Sequence, residues 1–155
     1  MNIHLKKASI QDSEKIHKMQ VMSFKPLLEK YKDYDTNPGA ETLERVKLRF
    51  DFNDTDHFLI CLYKENIGYI RIRRLYKNHT YMLSQMFIIP GEQGKGYAQA
   101  AIRQAEMLYP KDAKWTLDTI KQEPKLSHLY EKMGYRLTGT EKQIKEGMDL
   151  VYYEK

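Results

Sequence analysis

Apolar residues alternating with period two in neighbouring runs, apolar stripes at helical spacing between those runs, and a glycine-rich loop joining a strand to a helix predict a mixed α/β domain. In chain order the elements read strand, two helices, three strands, helix, strand, helix, two strands. At 155 residues the chain is one domain's worth and long enough to bury its own core. No repeat, low-complexity tract or Gly/Ser linker offers a boundary, so residues 1–155 read as a single domain.

The first strand is "IHLKKA". Ser9 with Asp12 three residues later is a variant of a capping box, and Ile16 and Met19 carry the apolar side of the helix that follows. Asn37, Pro38 and Gly39 then supply turn residues ahead of Leu43, Val46 and Phe50, which are spaced for one face of a second helix. The period now changes from helical to two. "DHFLICLYK" and "IGYIRIRRLY" read as an antiparallel hairpin turning at Glu65 and Asn66, and "TYMLSQMFII" reads as a third strand after a polar turn at Asn78 and His79. That third strand is apolar on both faces, with Met82, Met86 and Ile88 alternating against Leu83, Phe87 and Ile89. Such a strand belongs inside a sheet.

Past the glycine loop, Ala98, Ala101, Ile102, Ala105 and Leu108 form a helical stripe that Tyr109 and Pro110 end. "KWTLDTI" is a strand. "PKLSHLYEKM" is a helix with Pro124 in its first turn, Leu126, Leu129, Tyr130 and Met133 on one face, and Gly134 as its C-terminal cap. "YRLTGTEKQI" and "MDLVYY" close the chain as a hairpin about Gly147.

Composition narrows the function classes. The net charge of +5 comes from 26 Lys and Arg interleaved with 21 Asp and Glu, and its densest patch, "RIRRLYK", puts Arg71 and Arg73 on one strand face, read as a solvated face or edge. No nucleic-acid reader motif accompanies it, so no nucleic-acid partner is expected. Nowhere do eighteen apolar residues run together, and the N-terminus has no apolar segment after its charges, so neither a membrane span nor a signal peptide is indicated. The single cysteine, Cys61, lies in the apolar run "HFLICLY", where a buried reduced thiol is expected, and this favours the cytoplasm.

"PGEQGKGYAQAAIRQ" has the makings of an anion site. Amides at the start of a helix lack partners and carry partial positive charge, and glycine lets phosphate oxygens approach the backbone. A glycine turn that merely connects strand to helix is the plain alternative. A Walker A loop fails here at its lysine, because Gly96 is followed by Tyr97 and Ala98. A dinucleotide fingerprint lacks its third small residue, since Gly94 and Gly96 are followed by Gln99, although Asp118 lies at a distance suited to a ribose contact.

The stretch Gln93, Gly94, Lys95, Gly96, Tyr97 and Ala98 fills the pattern Q/R-x-x-G-x-G/A. Here the chain resembles the GNAT superfamily of acyl-CoA-dependent N-acyltransferases, with "MFIIP" similar to the family's central strand and "HLYEKMGYRLTG" to its C-terminal helix and following strand. The resemblance implies a mainly antiparallel central sheet flanked by helices. It implies acetyl-CoA as co-substrate, with pantetheine along the backbone of Phe87 and Ile88 and pyrophosphate on the amides of Gly94, Lys95, Gly96, Tyr97 and Ala98 behind Gln93. It implies no metal, a small-molecule or peptide amine as acceptor, and allows a homodimer.

In direct transfer an amine attacks the thioester while the enzyme positions the acyl group and protonates the departing thiolate. Tyr130 matches the family's helix tyrosine, and a phenol is still protonated at neutral pH; by periodicity alone it is a core residue. His128, one position away, reads as surface. Glu123 stands where many family members place an asparagine; it is a candidate to accept a proton through water, or a helix cap. Ser84 and Gln85 interrupt the central strand and are suited to orienting water or substrate. Residues 24–37 are expected to shape the acceptor pocket. A non-catalytic acyl-CoA-binding or sensing module is the alternative function.

Overall fold

The computed structural model describes residues 2–155. β1 (Ile3–Lys7) leads through one 3-10 turn, where the Asp12 carboxylate accepts the Ser9 amide at 2.9 Å, into α1 (Ser13–Tyr31). α2 (Leu43–Leu48) follows, its first turn held by the Thr42 hydroxyl, which accepts the Arg45 amide at 3.2 Å. Then come β2 (Thr55–Leu62), β3 (Glu65–Leu75), β4 (Thr80–Ile88), α3 (Tyr97–Met107), β5 (Lys114–Ile120), α4 (Pro124–Lys132), β6 (Arg136–Lys145) and β7 (Met148–Glu154). The order of elements is the one the sequence predicts.

The seven strands form one sheet in the order β1-β2-β3-β4-β5-β7-β6, antiparallel throughout except between β4 and β5. One face carries the core under α3 and α4, with Ile70, Ile72, Leu83, Ile102, Leu117 and Tyr153. The other carries the core under α1 and α2, with Ile16, Met19, Val46, Leu59, Tyr69 and Phe87. Cys61 is a buried free thiol in this second core.

Four local expectations change. The β2–β3 turn is Tyr63–Lys64, with Tyr63 at φ 53°, and Glu65 and Asn66 pair back onto Leu62 and Cys61. This register is reached because β3 bulges at Ile67, placing Gly68 opposite Ile60 and Asn66 opposite Cys61. Leu108 falls beyond the last turn of α3 and is 57% exposed, so the stripe ends at Ala105. Arg71 is not on a solvated face: its guanidinium lies beneath the α1 side, donating to Ser84 Oγ at 3.2 Å and Gln85 Oε1 at 3.0 Å, while exposed Arg73 pairs with Asp54.

The fourth change shapes the site. β4 bulges at Ser84, because Ile72 pairs with Leu83 and Arg71 with Gln85, leaving Ser84 unmatched. Simple alternation therefore breaks there. Leu83 packs in the α3/α4 core and Phe87 in the α1/α2 core, although the sequence places them on one face.

β4 and β5 pair only where Thr80, Tyr81 and Met82 meet Lys114, Trp115 and Thr116. Beyond that vertex the strands part, and among the described residues the β4 edge from Leu83 to Ile88 has no strand neighbour on this side. Gly68 holds the opposite edge of β4 in place. A Cβ on Gly68 would stand 2.3 Å from the Phe87 carbonyl oxygen, which a backbone inside a sheet cannot yield cheaply. Gly68→Ala is expected to destabilise the fold by about 3 kcal/mol through this overpacking. A urea titration checks this; unchanged stability means β4 can shift and its edge is not fixed by this contact.

Candidate functional site

The loop after β4 is built to leave amides free. Pro90 starts one 3-10 turn, the Gln93 amide donates to Pro90 O at 3.4 Å, and the chain then passes Gly94 at φ 77° and Gly96 at φ 84°. Both angles lie in the left-handed region that glycine enters without penalty. Gly96 is the N-cap of α3 and has no side chain to satisfy the helix start. Among the described residues, the amides of residues 94–99 find no protein acceptor; the first α3 bond is Ala100 N–H to Gly96 O at 3.2 Å. A row of outward amides at a helix N-terminus favours an anion. Gln93 donates from its side chain to Ile88 O at 2.7 Å, bracing the loop on the end of β4, and Lys95 pairs with Glu92 at 3.2 Å.

The unpaired edge of β4 runs into this loop. The Ile89 amide donates to Ile67 O at 2.8 Å, so strand alternation turns the peptide groups of Phe87 toward β3 and those of Ile88 toward the open side. Of the two residues expected to pair with pantetheine, Ile88 alone turns its backbone there, and with its carbonyl held by Gln93 it offers its amide. Met86 offers its own by the same alternation. Phe87 instead fills the α1 side, edge-on to Phe24 at 5.8 Å between ring centroids.

Tyr130 sits on the inner face of α4, buried against Tyr135 and Tyr153 at centroid distances of 6.1 and 6.4 Å. α4 ends in a Schellman turn: Gly134 takes φ 94°, its amide donates to Glu131 O at 3.0 Å, and the Tyr135 amide donates to Tyr130 O at 3.0 Å. The predicted cap thus fixes the turn that carries Tyr130. Tyr135 donates its hydroxyl to Glu106 at 2.8 Å and Tyr153 to Glu131 at 2.7 Å, whereas the Tyr130 hydroxyl has no partner among the described residues. A tyrosine serving only the core would be expected to satisfy its hydroxyl as its neighbours do. Burial, with the charge of Asp118 adding to it, pushes the Tyr130 phenol up to about 12, so it is fully protonated at neutral pH.

Glu123 occupies the N-cap position of α4, but its side chain caps nothing. Its carboxylate instead accepts from Lys30 Nζ at 2.7 Å and Tyr31 Oη at 2.5 Å, fastening the end of α1 to the start of α4. Burial opposes ionisation there, yet the hydrogen bonds from Lys30 and Tyr31 outweigh it and hold the carboxyl below its ordinary value. The segment leading on from α1 is ordered by its own turns, with Asp33 accepting the Thr36 amide and Asn37 Oδ1 accepting the Gly39 amide at 2.7 Å. His128 is exposed. Ser84 and Gln85 are both engaged by Arg71, which sequence reading placed in solvent. Gly68 was also overlooked; a glycine inside an otherwise apolar strand run was its one signal.

Among the described residues no group of three or more His, Cys, Asp or Glu is placed to hold a metal, and no helix is long and apolar enough to cross a membrane.

The acetyltransferase (GNAT) family model matches residues 24–135. Solved structures align over nearly the whole chain. A spermidine N-acetyltransferase from Vibrio cholerae in complex with CoA and spermine superposes with a TM-score of 0.76 at 20% identity, covering 99% of this chain and 95% of that one. An acetyltransferase from Thermus thermophilus gives 0.73 at 20% identity, covering 100% and 97%. A ribosomal L7/L12 alpha-N-protein acetyltransferase in complex with coenzyme A gives 0.79 at 13% identity, covering 100% and 94%. At such identities the likeness is one of fold. No curated protein sequence matches this chain significantly.

Proposed function

Because this chain belongs to the acetyltransferase (GNAT) family and is an acyl-CoA-dependent N-acetyltransferase, we propose that it moves an acetyl group from acetyl-CoA directly to a primary amine while both substrates are bound. The observation that carries this reading is the alignment of an uncapped helix terminus with an unpaired strand edge. Free amides of residues 94–99 receive the pyrophosphate, with Lys95 beside them. The open edge at Ile88 and Met86 takes pantetheine as a neighbouring strand would be taken. Gln93 braces the loop against the end of the strand through the Ile88 carbonyl.

A chain laid along β4 from the loop brings its thioester toward the vertex where β4 and β5 part. Tyr130 stands by that gap with a protonated, unpartnered hydroxyl and gives its proton to the departing thiolate. Glu123 serves by holding the end of α1 in place, since its carboxylate is occupied by Lys30 and Tyr31. The acceptor enters on the α1 side, across the sheet from α4. Structural neighbours bear the names of enzymes for spermidine and for a protein α-amino group, and both chemistries define the acceptors to try first.

Calorimetry with acetyl-CoA, NAD and ATP tests the first half of this reading. Acetyl-CoA is expected to bind at micromolar concentrations and the other two far more weakly, because the loop lacks the phosphate lysine of one motif and the third glycine of the other. NAD binding without acetyl-CoA binding overturns it. Thiol release with spermidine and with a short peptide bearing a free α-amino group tests the second half; tight acetyl-CoA binding with no turnover on any amine returns the chain to a binding module.

A further inference from the structure

One carboxylate at the gap has no bonded partner among the described residues. Asp118 lies in β5 opposite Tyr152, and alternation along the strand points it away from the face where Leu117 and Tyr153 pack under α4. It is half-buried, yet neither a hydrogen bond nor an ion pair to it exists among the described residues, and its oxygens are not sealed from accessible space. Exposed carboxylates need no partner because water solvates them. A half-buried one without a partner costs stability, and such groups persist where a ligand supplies the missing charge.

Its place in the sheet is specific. β4 and β5 last pair at Met82 and Thr116, so continuing that register sets Asp118 across the opening gap from Ser84, the bulged residue of β4. Bulge and carboxylate thus frame the vertex of the gap from its two sides. Asp118 is near enough for its charge to raise the Tyr130 phenol, although the two side chains belong to opposite faces of the sheet. The vertex therefore has an acid on the α4 side and a carboxylate on the α1 side.

We propose that Asp118 is the acceptor-side residue of the transfer: it receives the ammonium form of the amine substrate and takes its proton. This rests on the acetyltransferase reading above. The ammonium gives one proton to the Asp118 carboxylate, and the freed nitrogen lone pair attacks the thioester carbonyl carbon. The C–N bond forms as the C–S bond breaks. The thiolate takes the Tyr130 proton, the nitrogen loses its second proton to solvent and so restores Tyr130 through water, and Asp118 releases its proton with the amide product. Ammonium and thioester become amide, thiol and one released proton.

Burial raises the Asp118 carboxyl above its ordinary value, with Lys142 on β6 opposing, so it takes a proton more readily than an exposed carboxylate does. The ionisable groups about it are Tyr130 on α4, Lys142 on β6 and Tyr152 on β7, with the Arg71 guanidinium across the gap on Ser84 and Gln85. Lys30, Tyr31 and Glu123 close the neighbouring end, where α1 meets α4. None is bonded to Asp118, which leaves its place free for a cationic nitrogen.

Asp118→Asn keeps the shape and removes the charge. Because folding disfavours the ionised form of this group, its contribution to stability is present below the unfolded pKa and is lost as pH rises through the folded one. The variant should therefore melt at the same or a higher temperature than the native protein at pH 8, with acetyl-CoA affinity unchanged by calorimetry. A lower melting temperature identifies Asp118 as a structural carboxylate and overturns the proposal, whatever the activity. With spermidine or the free-terminus peptide as acceptor, kcat/KM for the amine should fall about tenfold or more at pH 7. Below the pKa of the amine it should climb tenfold per pH unit in the variant, which must wait for free amine, while the native profile stays flatter. An unchanged kcat/KM, or a uniform loss with the native pH profile, overturns this inference and leaves the acetyltransferase reading standing. Failure of the native protein to bind acetyl-CoA removes that reading instead, and the melting comparison still decides whether Asp118 is held at a cost.

Discussion

Gly96→Val should weaken acetyl-CoA binding at least ~100-fold, a loss of about 2.7 kcal/mol in binding free energy. Two causes act together. Gly96 is held at φ 84° and ψ 6°, where a β-branched residue is a steric outlier, so valine pulls the turn out of shape and misdirects the amides that follow. Its branched side chain also occupies space over the first turn of α3 that a pyrophosphate must approach. Gly147→Ala is the matching control, because Gly147 adopts a similar φ of 80° in the β6–β7 turn, with nothing within 4 Å of an added Cβ. That variant should lose on the order of 1 kcal/mol of stability from backbone strain and keep its acetyl-CoA affinity. Titration calorimetry beside thermal unfolding separates the two effects. Equal affinity losses in both folded variants would move the pyrophosphate site away from the loop.

Tyr130→Phe should lower turnover about 100-fold while leaving acetyl-CoA affinity and folding nearly untouched. The ring that packs on Tyr135 and Tyr153 remains, and the hydroxyl that goes strands no partner among the described residues. General acids are typically worth ~10²–10⁴-fold, and the low end is expected here for two reasons. A thiolate leaves readily without help. A phenol pushed up to about 12 also surrenders its proton uphill to a thiolate whose own pKa is about 8.5, so much of its effect comes from hydrogen bonding to the developing charge. Steady-state thiol release with an identified amine measures the drop, and a melting curve of the same sample guards against misfolding. Full turnover across the pH range returns Tyr130 to a purely structural role.

The order of elements and the loop were legible because their signals are local. Glycine at 94 and 96, proline at 124 and glycine at 134 each act through their own backbone angles, whatever surrounds them. Tyr130 was legible through its setting in the chain, though sequence alone could not separate a satisfied core tyrosine from one with a free hydroxyl. That distinction lies in Glu106 and Glu131, which reach Tyr135 and Tyr153 from other helix positions and leave Tyr130 alone.

What the sequence by itself determined is the set of strands and helices, their order, and the anion-binding turn after the central strand, since periodicity, caps and glycine angles depend on neighbours along the chain. The tertiary structure decided the rest. A bulge is a mismatch between two strands, so the inversion at Ser84 that separates Leu83 from Phe87 is invisible in either strand alone. The fates of Arg71, bound at Ser84 and Gln85, and of Glu123, drawn to Lys30 and Tyr31, depend on partners distant in sequence. So does the idleness of Asp118: a carboxylate in a strand pattern looks ordinary until the fold half-buries it at the parting of β4 and β5 with no hydrogen bond or ion pair among the described residues.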